Sequence, residues 1–315
     1  MPNTFTAHGW AFEEGVPALQ ATVYRWIERA VGLISDKVIA VSDYGKTYAI
    51  ENKVVSEDKI VTIHNGVEDT NLQRDVGYAS DCPQSLFKMV MIAGFRKQKD
   101  HKSLIMALSQ LTNEQWSIHF LGDGPLMAEC IELCESLGIE DKVHFEGAVS
   151  DVSSFLSKSD LLVLSTNWEG LPLSVLEGLA HSLPILATNI PGIREQVIDG
   201  YNGITFDRGS VKMLSESIEK FMSGELPLEK YSENSRDLYT QKYRLEVMCE
   251  RTLDLYSRSV EKDDRATIVA SRPVENCIDF DLGFGAGSGE DGLSESPVQS
   301  DKNSIQRPMV PKVLE

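Results

Sequence analysis

Two glutamates, eight positions apart, are the residues of this sequence whose type and spacing best suit chemistry. Glu169 and Glu177 belong to the segment WEGLPLSVLEG, residues 168–178, which follows an apolar run and opens an apolar helical pattern. Glu169 is therefore expected in a loop after a strand, and Glu177 one to two turns into the next helix. Glutamates at this spacing occur on many helices, so the interpretation depends on this strand–loop–helix context.

The start of that helix is expected to bind a phosphate. The backbone N–H groups of Leu173, Ser174 and Val175 fall in its first turn, where they lack partners within the helix. Such amides, together with the helix dipole, attract anions. Gly170 has no side chain, which allows a ligand to approach the backbone closely.

The elements that must position these residues alternate between strand and helix. Apolar runs predict strands at 37–41, 59–63, 86–93, 116–121, 142–145, 160–165, 184–188 and 203–206. Helical patterns occur at 17–34, 43–52, 101–111, 125–137, 151–158, 173–181, 192–198, 210–222 and 234–259. Continuous apolar strands separated by helices indicate parallel, doubly wound α/β sheets, which bind ligands beyond the carboxyl ends of their strands.

Composition excludes some classes of function. The formal net charge of −18 disfavours binding to nucleic acid. No apolar run reaches the roughly 18 residues of a membrane span, and the N-terminus lacks the features of a signal peptide, so a cytosolic protein is expected. Cys130 and Cys134 share a helical face and are predicted to be buried thiols, because no other Cys or His stands at zinc-site spacing. No metal site is predicted.

The chain resembles family 4 of the retaining glycosyltransferases, which have the two-domain GT-B fold and two glutamates separated by seven residues. The resemblance spans nearly all of residues 4–259, and its motifs follow the order found in that family. These motifs are TAHGW (6–10), IAVS (39–42), IHNGV (63–67), GFRKQKD (94–100), LGDGP (121–125), the segment 168–178, PGIRE (191–195) and GYNG (200–203).

This resemblance implies a role for each matching residue. Glu177 would hold the ribose hydroxyls of a nucleotide, and Glu169 would contact hydroxyls of the donor sugar near the reacting carbon. Arg96 and Lys99 would neutralise the diphosphate together with the amides of the helix start. His8 corresponds to a histidine that touches the donor sugar from the opposite domain. No metal or cofactor is implied, because cationic side chains and the helix start stabilise the leaving group.

Several assignments stay open at this stage. Arg96 and Lys99 could belong to a solvated charged face, and many family members carry the arginine where this chain has Gly94. Gly122 and Gly124 fit either a strand–helix turn or a nucleotide contact. Trp168 fits either packing against a base or sugar, or plain core packing. Arg194 and Glu195 are expected on a helix surface.

The expected architecture is a GT-B-like α/β fold with a complete doubly wound C-terminal domain and a partial N-terminal one. The predicted divisions are 1–66 (partial acceptor-side domain), 67–85 (linker), 86–233 (nucleotide-sugar-binding domain), 234–259 (helices returning to the first domain) and 260–315 (disordered tail). Fewer residues precede the His-Gly segment than is usual in the family. An exposed sheet edge and apolar face are therefore expected, unless a companion chain supplies the missing strands.

The predicted function is a retaining transfer of sugar from a nucleotide-sugar, with UDP favoured, to a saccharide or lipid-linked saccharide. The predicted location is the cytoplasm, including its membrane face. The alternative is a truncated, non-catalytic fragment that binds nucleotide-sugars. Sugar-nucleotide 2-epimerases share the fold but lack the Glu-Gly-Leu-Pro segment. The glycines 287, 289 and 292 match a dinucleotide spacing, but the acidic residues 290 and 291 would repel a pyrophosphate.

Overall fold

The computed structural model describes residues 3–13, 15–69 and 86–261. Of the predicted linker, only residues 67–69 fall within this range. The predicted tail lies outside the described residues, except that positions 260 and 261 still belong to the last helix. Cys82, Cys277 and the glycines of the rejected dinucleotide motif also lie outside.

Residues 3–69 form a first lobe around a three-stranded parallel sheet. Its strands lie in the order β1-β2-β3. Its elements are β1 (Thr4–Ala7), α1 (Ala18–Ile34), β2 (Lys37–Ala40), α2 (Asp43–Glu51) and β3 (Ile60–Thr62). Ser42 caps the start of α2, because its hydroxyl accepts a hydrogen bond from the Gly45 amide at 3.0 Å. Strand β1 is not predicted from the sequence, because it is only four residues long.

Helix α1 exposes an apolar surface. Leu19, Trp26, Ile27 and Leu33 recur at helical spacing, with 80%, 67%, 55% and 69% of their surface accessible. The opposite side of α1 packs against the lobe at Gly32, where a side chain would meet the Val54 carbonyl oxygen at 2.7 Å. The exposed apolar face that the sequence predicts is therefore present on α1 in the described part of the chain.

Residues 86–243 form a second lobe around a six-stranded sheet whose strand pairs are all parallel. The strand order is β6-β5-β4-β7-β8-β9. The strands are β4 (Phe87–Ile92), β5 (Trp116–Leu121), β6 (Val143–Gly147), β7 (Leu161–Leu164), β8 (Ile185–Thr188) and β9 (Gly203–Phe206). The helices between them are α3 (His101–Leu108), α4 (Met127–Leu137), α5 (Ser153–Leu156), α6 (Leu173–Ala180) and α7 (Pro191–Arg194), followed by α8 (Val211–Met222).

The order of these strands positions the candidate site. The chain proceeds outward from β4 through β5 to β6, then returns to the other side of β4 with β7. The loops that follow β4 and β7 consequently leave the sheet side by side and run in opposite directions. A crevice opens at such a reversal in doubly wound sheets, and their ligands bind there.

Two C-terminal helices stand where a single helix, 234–259, is predicted. They are α9 (Leu228–Lys242) and α10 (Leu245–Glu261). The prediction was wrong about the interval between them, because the backbone there pairs with the first lobe. The Val67 amide donates to the Tyr243 carbonyl oxygen, and the Leu245 amide donates to the Val67 carbonyl oxygen, each at 3.0 Å. Gly66 allows this approach, since a side chain there would lie 2.6 Å from the Arg244 carbonyl oxygen.

None of the helices in the described ranges combines the length and the apolar character that a membrane crossing requires. The predicted burial of Cys130 and Cys134 is confirmed, and burial raises the pKa of these thiols to about 11 and about 12. Cys249 is exposed on α10.

Candidate functional site

The loops after β4 and β7 are joined by backbone hydrogen bonds. The Asp100 amide donates to the Ser165 carbonyl oxygen at 3.0 Å, and the Asn167 amide donates to the Gln98 carbonyl oxygen at 2.8 Å. Asp100 then begins α3, where its carboxylate accepts from the Ser103 amide. These contacts fix two segments that are nearly seventy residues apart in sequence.

Lys99 and Glu169 form an ion pair where these loops meet. The lysine Nζ lies 2.6 Å from Glu169 Oε1, and both side chains are more than nine-tenths buried. Thr166 Oγ1 donates to the same oxygen at 2.8 Å, and Gln98 Nε2 donates to the other oxygen at 3.4 Å. The structure thus brings two of the predicted site residues into direct contact.

Glu177 lies in the second turn of α6. Burial raises the pKa of its carboxyl group to about 7. Among the described residues, no side chain or amide donates a hydrogen bond to this carboxylate. A buried carboxyl group in this state favours a ligand that brings its own hydrogen-bond donors.

Helix α6 begins at Leu173, as predicted. Pro172 precedes it, and no side chain caps its first turn. The Pro172 carbonyl oxygen accepts a hydrogen bond from Gln196 Nε2 at 3.0 Å, which anchors the loop before the helix. The amides of Leu173, Ser174 and Val175 thus occupy the first turn of a helix that starts four residues after Glu169.

Two glycines allow backbones to approach around Glu169. A side chain at Gly170 would lie 2.4 Å from the His8 carbonyl oxygen, so this position contacts the first lobe. A side chain at Gly192 would lie 2.1 Å from the Glu169 carbonyl oxygen. Gly170 is predicted to let a ligand approach closely, whereas its neighbour in the structure is the backbone of His8.

His8 and Arg96 lie at the periphery of this arrangement. His8 is exposed as a residue, but its imidazole is partly desolvated, which lowers the pKa of this group. The backbone of His8 contacts Gly170, so the first lobe touches the residue that directly follows Glu169. Arg96 is exposed in the loop after β4. The roles that the resemblance gives these two residues stay predictions.

The glycines of the LGDGP segment have a structural explanation. A side chain at Gly122 would lie 2.2 Å from the Ala93 carbonyl oxygen, and one at Gly124 would lie 2.6 Å from the Phe95 carbonyl oxygen. Both glycines also have positive φ angles, 149° and 157°. Of the two interpretations, a strand–helix turn or a nucleotide contact, these close approaches favour the turn.

Glu195 joins the two lobes, although the sequence analysis expects it on a helix surface. Its Oε1 accepts from the Tyr44 amide at 2.6 Å, and its Oε2 accepts from the Asp43 amide at 2.9 Å and lies 3.1 Å from His64 Nε2. The Tyr243 hydroxyl donates to the Glu195 backbone carbonyl at 2.7 Å. Glu195 therefore caps α2 from across the lobe junction.

The side chains around Glu195 lie close enough together to be considered as a cation site. Ligand atoms of Asp43, His64 and Glu195 lie within 4.8 Å of one another. Both oxygens of Glu195, however, already have partners in α2 and His64. The capping contact therefore accounts for the cluster. No motif in the sequence signals this role, because it depends on how the two lobes meet.

Two family models match the chain. Residues 80–238 match the model described as glycosyl transferases group 1. Residues 1–71 match the model described as glycosyltransferase family 4. The first match covers the second sheet, the two joined loops and α6, and the second covers the first lobe.

Individual proteins agree with these models. A putative glycosyltransferase of Bacillus subtilis, EpsD, is 27% identical over 83% of this chain and 71% of its own length. N-acetyl-alpha-D-glucosaminyl L-malate synthase of Bacillus anthracis is 25% identical over 73% of this chain and 61% of its own length. The chain thus spans about two thirds of the length of these curated relatives.

Solved structures resemble the fold. The structure of Alr3699/HepE from Anabaena, in complex with UDP-glucose, superposes with a TM-score of 0.72 over 82% of this chain and 72% of that protein, at 18% identity. The expected GT-B architecture, with a parallel sheet of six strands, is confirmed by such likenesses. The matches give no support for the companion chain suggested by the sequence.

Proposed function

Because the chain belongs to the family of glycosyl transferases group 1, we propose that it transfers a sugar from a nucleoside diphosphate sugar to a saccharide hydroxyl. The observation that carries this proposal is the convergence of Lys99, Glu169 and the start of α6 at the strand-order reversal. The buried Glu177 lies in the same helix. Ligands of doubly wound sheets bind at such a reversal.

Each part of the donor has a chemically complementary group in this site. A diphosphate is an anion, and it suits the first-turn amides of Leu173, Ser174 and Val175 together with the cations Lys99 and Arg96. Ribose hydroxyls suit the carboxylate of Glu177, which is buried next to this helix start. Hydroxyls of the donor sugar suit Glu169, whose oxygens already accept hydrogen bonds from neutral and cationic donors.

The transfer breaks one bond and forms another. The bond between the anomeric carbon and the diphosphate oxygen breaks, and the electron pair leaves with the diphosphate. The acceptor oxygen bonds to the same carbon and passes its proton to the departing diphosphate. Negative charge therefore grows on the diphosphate, where Lys99 and the helix start stabilise it. Glu169 and His8 are proposed to hold the reacting sugar, and retention of configuration is part of the proposal.

The choice of substrates draws on the relatives. UDP-glucose is present in the Anabaena structure, and one Escherichia coli relative is named a UDP-Gal:alpha-D-GlcNAc-diphosphoundecaprenol alpha-1,3-galactosyltransferase. We therefore favour a UDP-sugar as donor and a saccharide or lipid-linked saccharide as acceptor. A lipid-linked acceptor would place the reaction in the cytoplasm, at the inner face of the membrane.

Calorimetric titration of the protein with UDP, GDP and ADP tests the donor site. We expect UDP to bind, and Glu177→Ala to abolish binding while circular dichroism stays unchanged. Glu219→Ala is a control, because Glu219 lies on α8 and contacts Thr112, away from the crevice. Failure of all three nucleotides to bind folded protein would end the proposal, and unchanged affinity in Glu177→Ala would refute the ribose assignment.

A further inference from the structure

A buried glutamine supports the loop of residues 169–172, which leads into α6. Gln196 follows α7 and is completely buried. Its Nε2 donates to the Pro172 carbonyl oxygen at 3.0 Å, whereas its Oε1 has no hydrogen-bond partner among the described residues. A buried acceptor without a partner lowers stability. Stability alone therefore does not favour an amide side chain at this position.

We propose that Gln196 is a positioning residue of the donor site, which holds the Leu173 amide in the direction that binds the diphosphate of a nucleotide-sugar. The inference rests on the proposed function, because Leu173 carries the first of the three amides assigned to the diphosphate. Gln196 touches no substrate in this arrangement and acts through the backbone of α6.

The geometry of one peptide bond carries this inference. The Pro172 carbonyl group and the Leu173 amide belong to the same peptide, which is planar and trans. The C=O and N–H bonds of such a peptide point in opposite directions. Because a carbonyl oxygen can only accept, Gln196 must turn its Nε2 towards it. This bond fixes the carbonyl on one side, so it also fixes the amide hydrogen on the other side, at the start of α6 that no side chain caps.

The same turn of the chain holds both ends of the loop before α6. Gly192 and Gln196 are four positions apart, and the Gln196 amide continues the turn of α7 by donating to the Ile193 carbonyl oxygen at 2.9 Å. The two residues therefore lie on one face. Gly192 packs against the start of the loop, where a side chain would lie 2.1 Å from the Glu169 carbonyl oxygen. Gln196 bonds to the end of the loop at Pro172.

The backbone of Gln196 is itself fixed by contacts outside this loop. Its carbonyl oxygen accepts from Asn202 Nδ2 at 2.9 Å, and Asn202 Oδ1 accepts from the Ile198 amide at 2.8 Å. Asn202 is completely buried as well. On the preceding residue, the Glu195 carbonyl oxygen accepts from the Tyr243 hydroxyl at 2.7 Å. Gln196 is thus held independently of the segment that it positions, as preorganisation of a site requires.

Comparison of UDP with uridine in Gln196→Met tests the proposal. Methionine keeps the length of the side chain but cannot donate to Pro172, and uridine keeps the base and ribose of UDP but lacks the diphosphate. We expect the variant to lose about tenfold in UDP affinity, the effect of one good hydrogen bond, and to bind uridine within about twofold of the wild-type affinity. Urea unfolding should change little, because the unpartnered Oε1 is removed together with the bond.

Asn234→Leu is the matched control. Asn234 is also a buried amide that donates to a backbone carbonyl oxygen, that of Tyr201 at 2.7 Å, which lies outside the loop before α6. Its replacement should leave the affinities for UDP and for uridine within about twofold of the wild-type values.

Gln196→Glu adds a second readout, the pH dependence of binding. Burial raises the pKa of a carboxyl group, whose protonated form can donate to Pro172 and whose ionised form cannot donate and repels a diphosphate. The UDP affinity of this variant relative to the wild-type protein should therefore fall as the pH rises from about 5 to about 8. The other titrating groups of the site are common to both proteins, so they cancel in this ratio.

The outcomes separate this proposal from the one on which it rests. Unchanged UDP affinity in Gln196→Met, or equal losses for UDP and uridine, would overturn the positioning role and leave the donor site standing. If Gln196→Met did not fold, a Gln196→Glu ratio that is independent of pH would overturn it instead. Failure of the wild-type protein to bind UDP would refute the proposed function itself, and this inference with it.

Discussion

At Glu177, a carboxyl group with a pKa of about 7 makes ligand binding sensitive to pH. Hydroxyl donors of a bound ribose favour the ionised form and lower this pKa. We therefore expect UDP affinity to rise as the pH rises through about 7, and binding below that pH to release a proton. Calorimetry in buffers of different ionisation enthalpy measures the release.

The control is Glu177→Gln, which keeps the shape of the side chain and cannot ionise. The ionisable groups of UDP also titrate, and they change the pH dependence of binding equally for both proteins. Identical pH profiles for the wild-type protein and the variant would contradict the assignment of Glu177.

The same group affects folding in the absence of a ligand. Its pKa is higher in the folded chain than its ordinary 4.5, so the folded state binds the proton more tightly. The free energy of unfolding should fall as the pH rises from about 4.5 to about 7, by up to about 3 kcal/mol. Above pH 7, Glu177→Gln should unfold at a higher urea concentration than the wild-type protein. If the variant were also more stable below pH 4.5, burial of the charge would not be the cause.

The buried pair Lys99–Glu169 makes a different prediction. Lys99→Met leaves a buried carboxylate that keeps Thr166 and Gln98, and Glu169→Leu leaves a buried ammonium without its carboxylate. Each single change should cost about 3 kcal/mol, and the double change clearly less than their sum. Urea unfolding of all four proteins measures the coupling. Additive costs would mean that the two charges do not interact.

The sequence identifies the individual candidate residues, but it does not predict their pairing. Glu169 and Glu177 follow from one local segment, and Lys99 from another. Their contact depends on β7 lying next to β4, and the chain between those strands first builds β5 and β6 on the other side. The role of Glu195 carries no signal in the sequence, because only the packing of the two lobes places it at the start of α2.

Among the elements, α2 depends on a cap from the other lobe. Burial alone would raise the pKa of Glu195, but the hydrogen bonds from His64 and from the Tyr44 and Asp43 amides outweigh it and hold this pKa below its usual value. The stabilisation is thus fully present above the ordinary pKa of 4.5 and is lost as the pH falls through the lower, folded value.

Replacing this cap should loosen the lobe junction. We expect Glu195→Ala to lower the free energy of unfolding by about 1–2 kcal/mol and to speed hydrogen exchange at the amides of Asp43 and Tyr44. Exchange in β5, far from the junction, should stay slow. Arg194→Ala is the neighbouring control, since Arg194 is exposed and its side chain donates a hydrogen bond to Asn189, outside α2. Unchanged exchange at α2 would show that the cap is dispensable.

The elements themselves were largely predictable because apolar runs in parallel strands are continuous. Strands β5 and β9 have the predicted bounds, and the other predicted strands differ by one or two residues at their ends. The exceptions have tertiary causes. Strand β1 is stabilised by pairing with β2, and the helix predicted at 234–259 divides where its backbone pairs with Val67.

On the scale of the whole molecule, the apolar surface of α1 should govern association. Trp26 and Ile27 are exposed and adjacent, so replacing both with Gln removes apolar area without opening a cavity. We expect the free energy of unfolding to change by less than about 0.5 kcal/mol and self-association to decrease in sedimentation experiments. Met213→Gln on α8 is the control for an isolated exposed residue. Unchanged sedimentation would mean that the α1 surface does not drive association.

The pairing of Lys99 with Glu169 has a consequence for how quickly a nucleotide arrives. The lysine charge is neutralised before any ligand binds, and the chain as a whole carries a net charge of −18. An approaching diphosphate therefore meets long-range repulsion, which dissolved salt screens over about 10 Å at 0.1 M. Stopped-flow association rates for UDP should rise with ionic strength, whereas a site with an unpaired cation at its mouth would show the opposite trend.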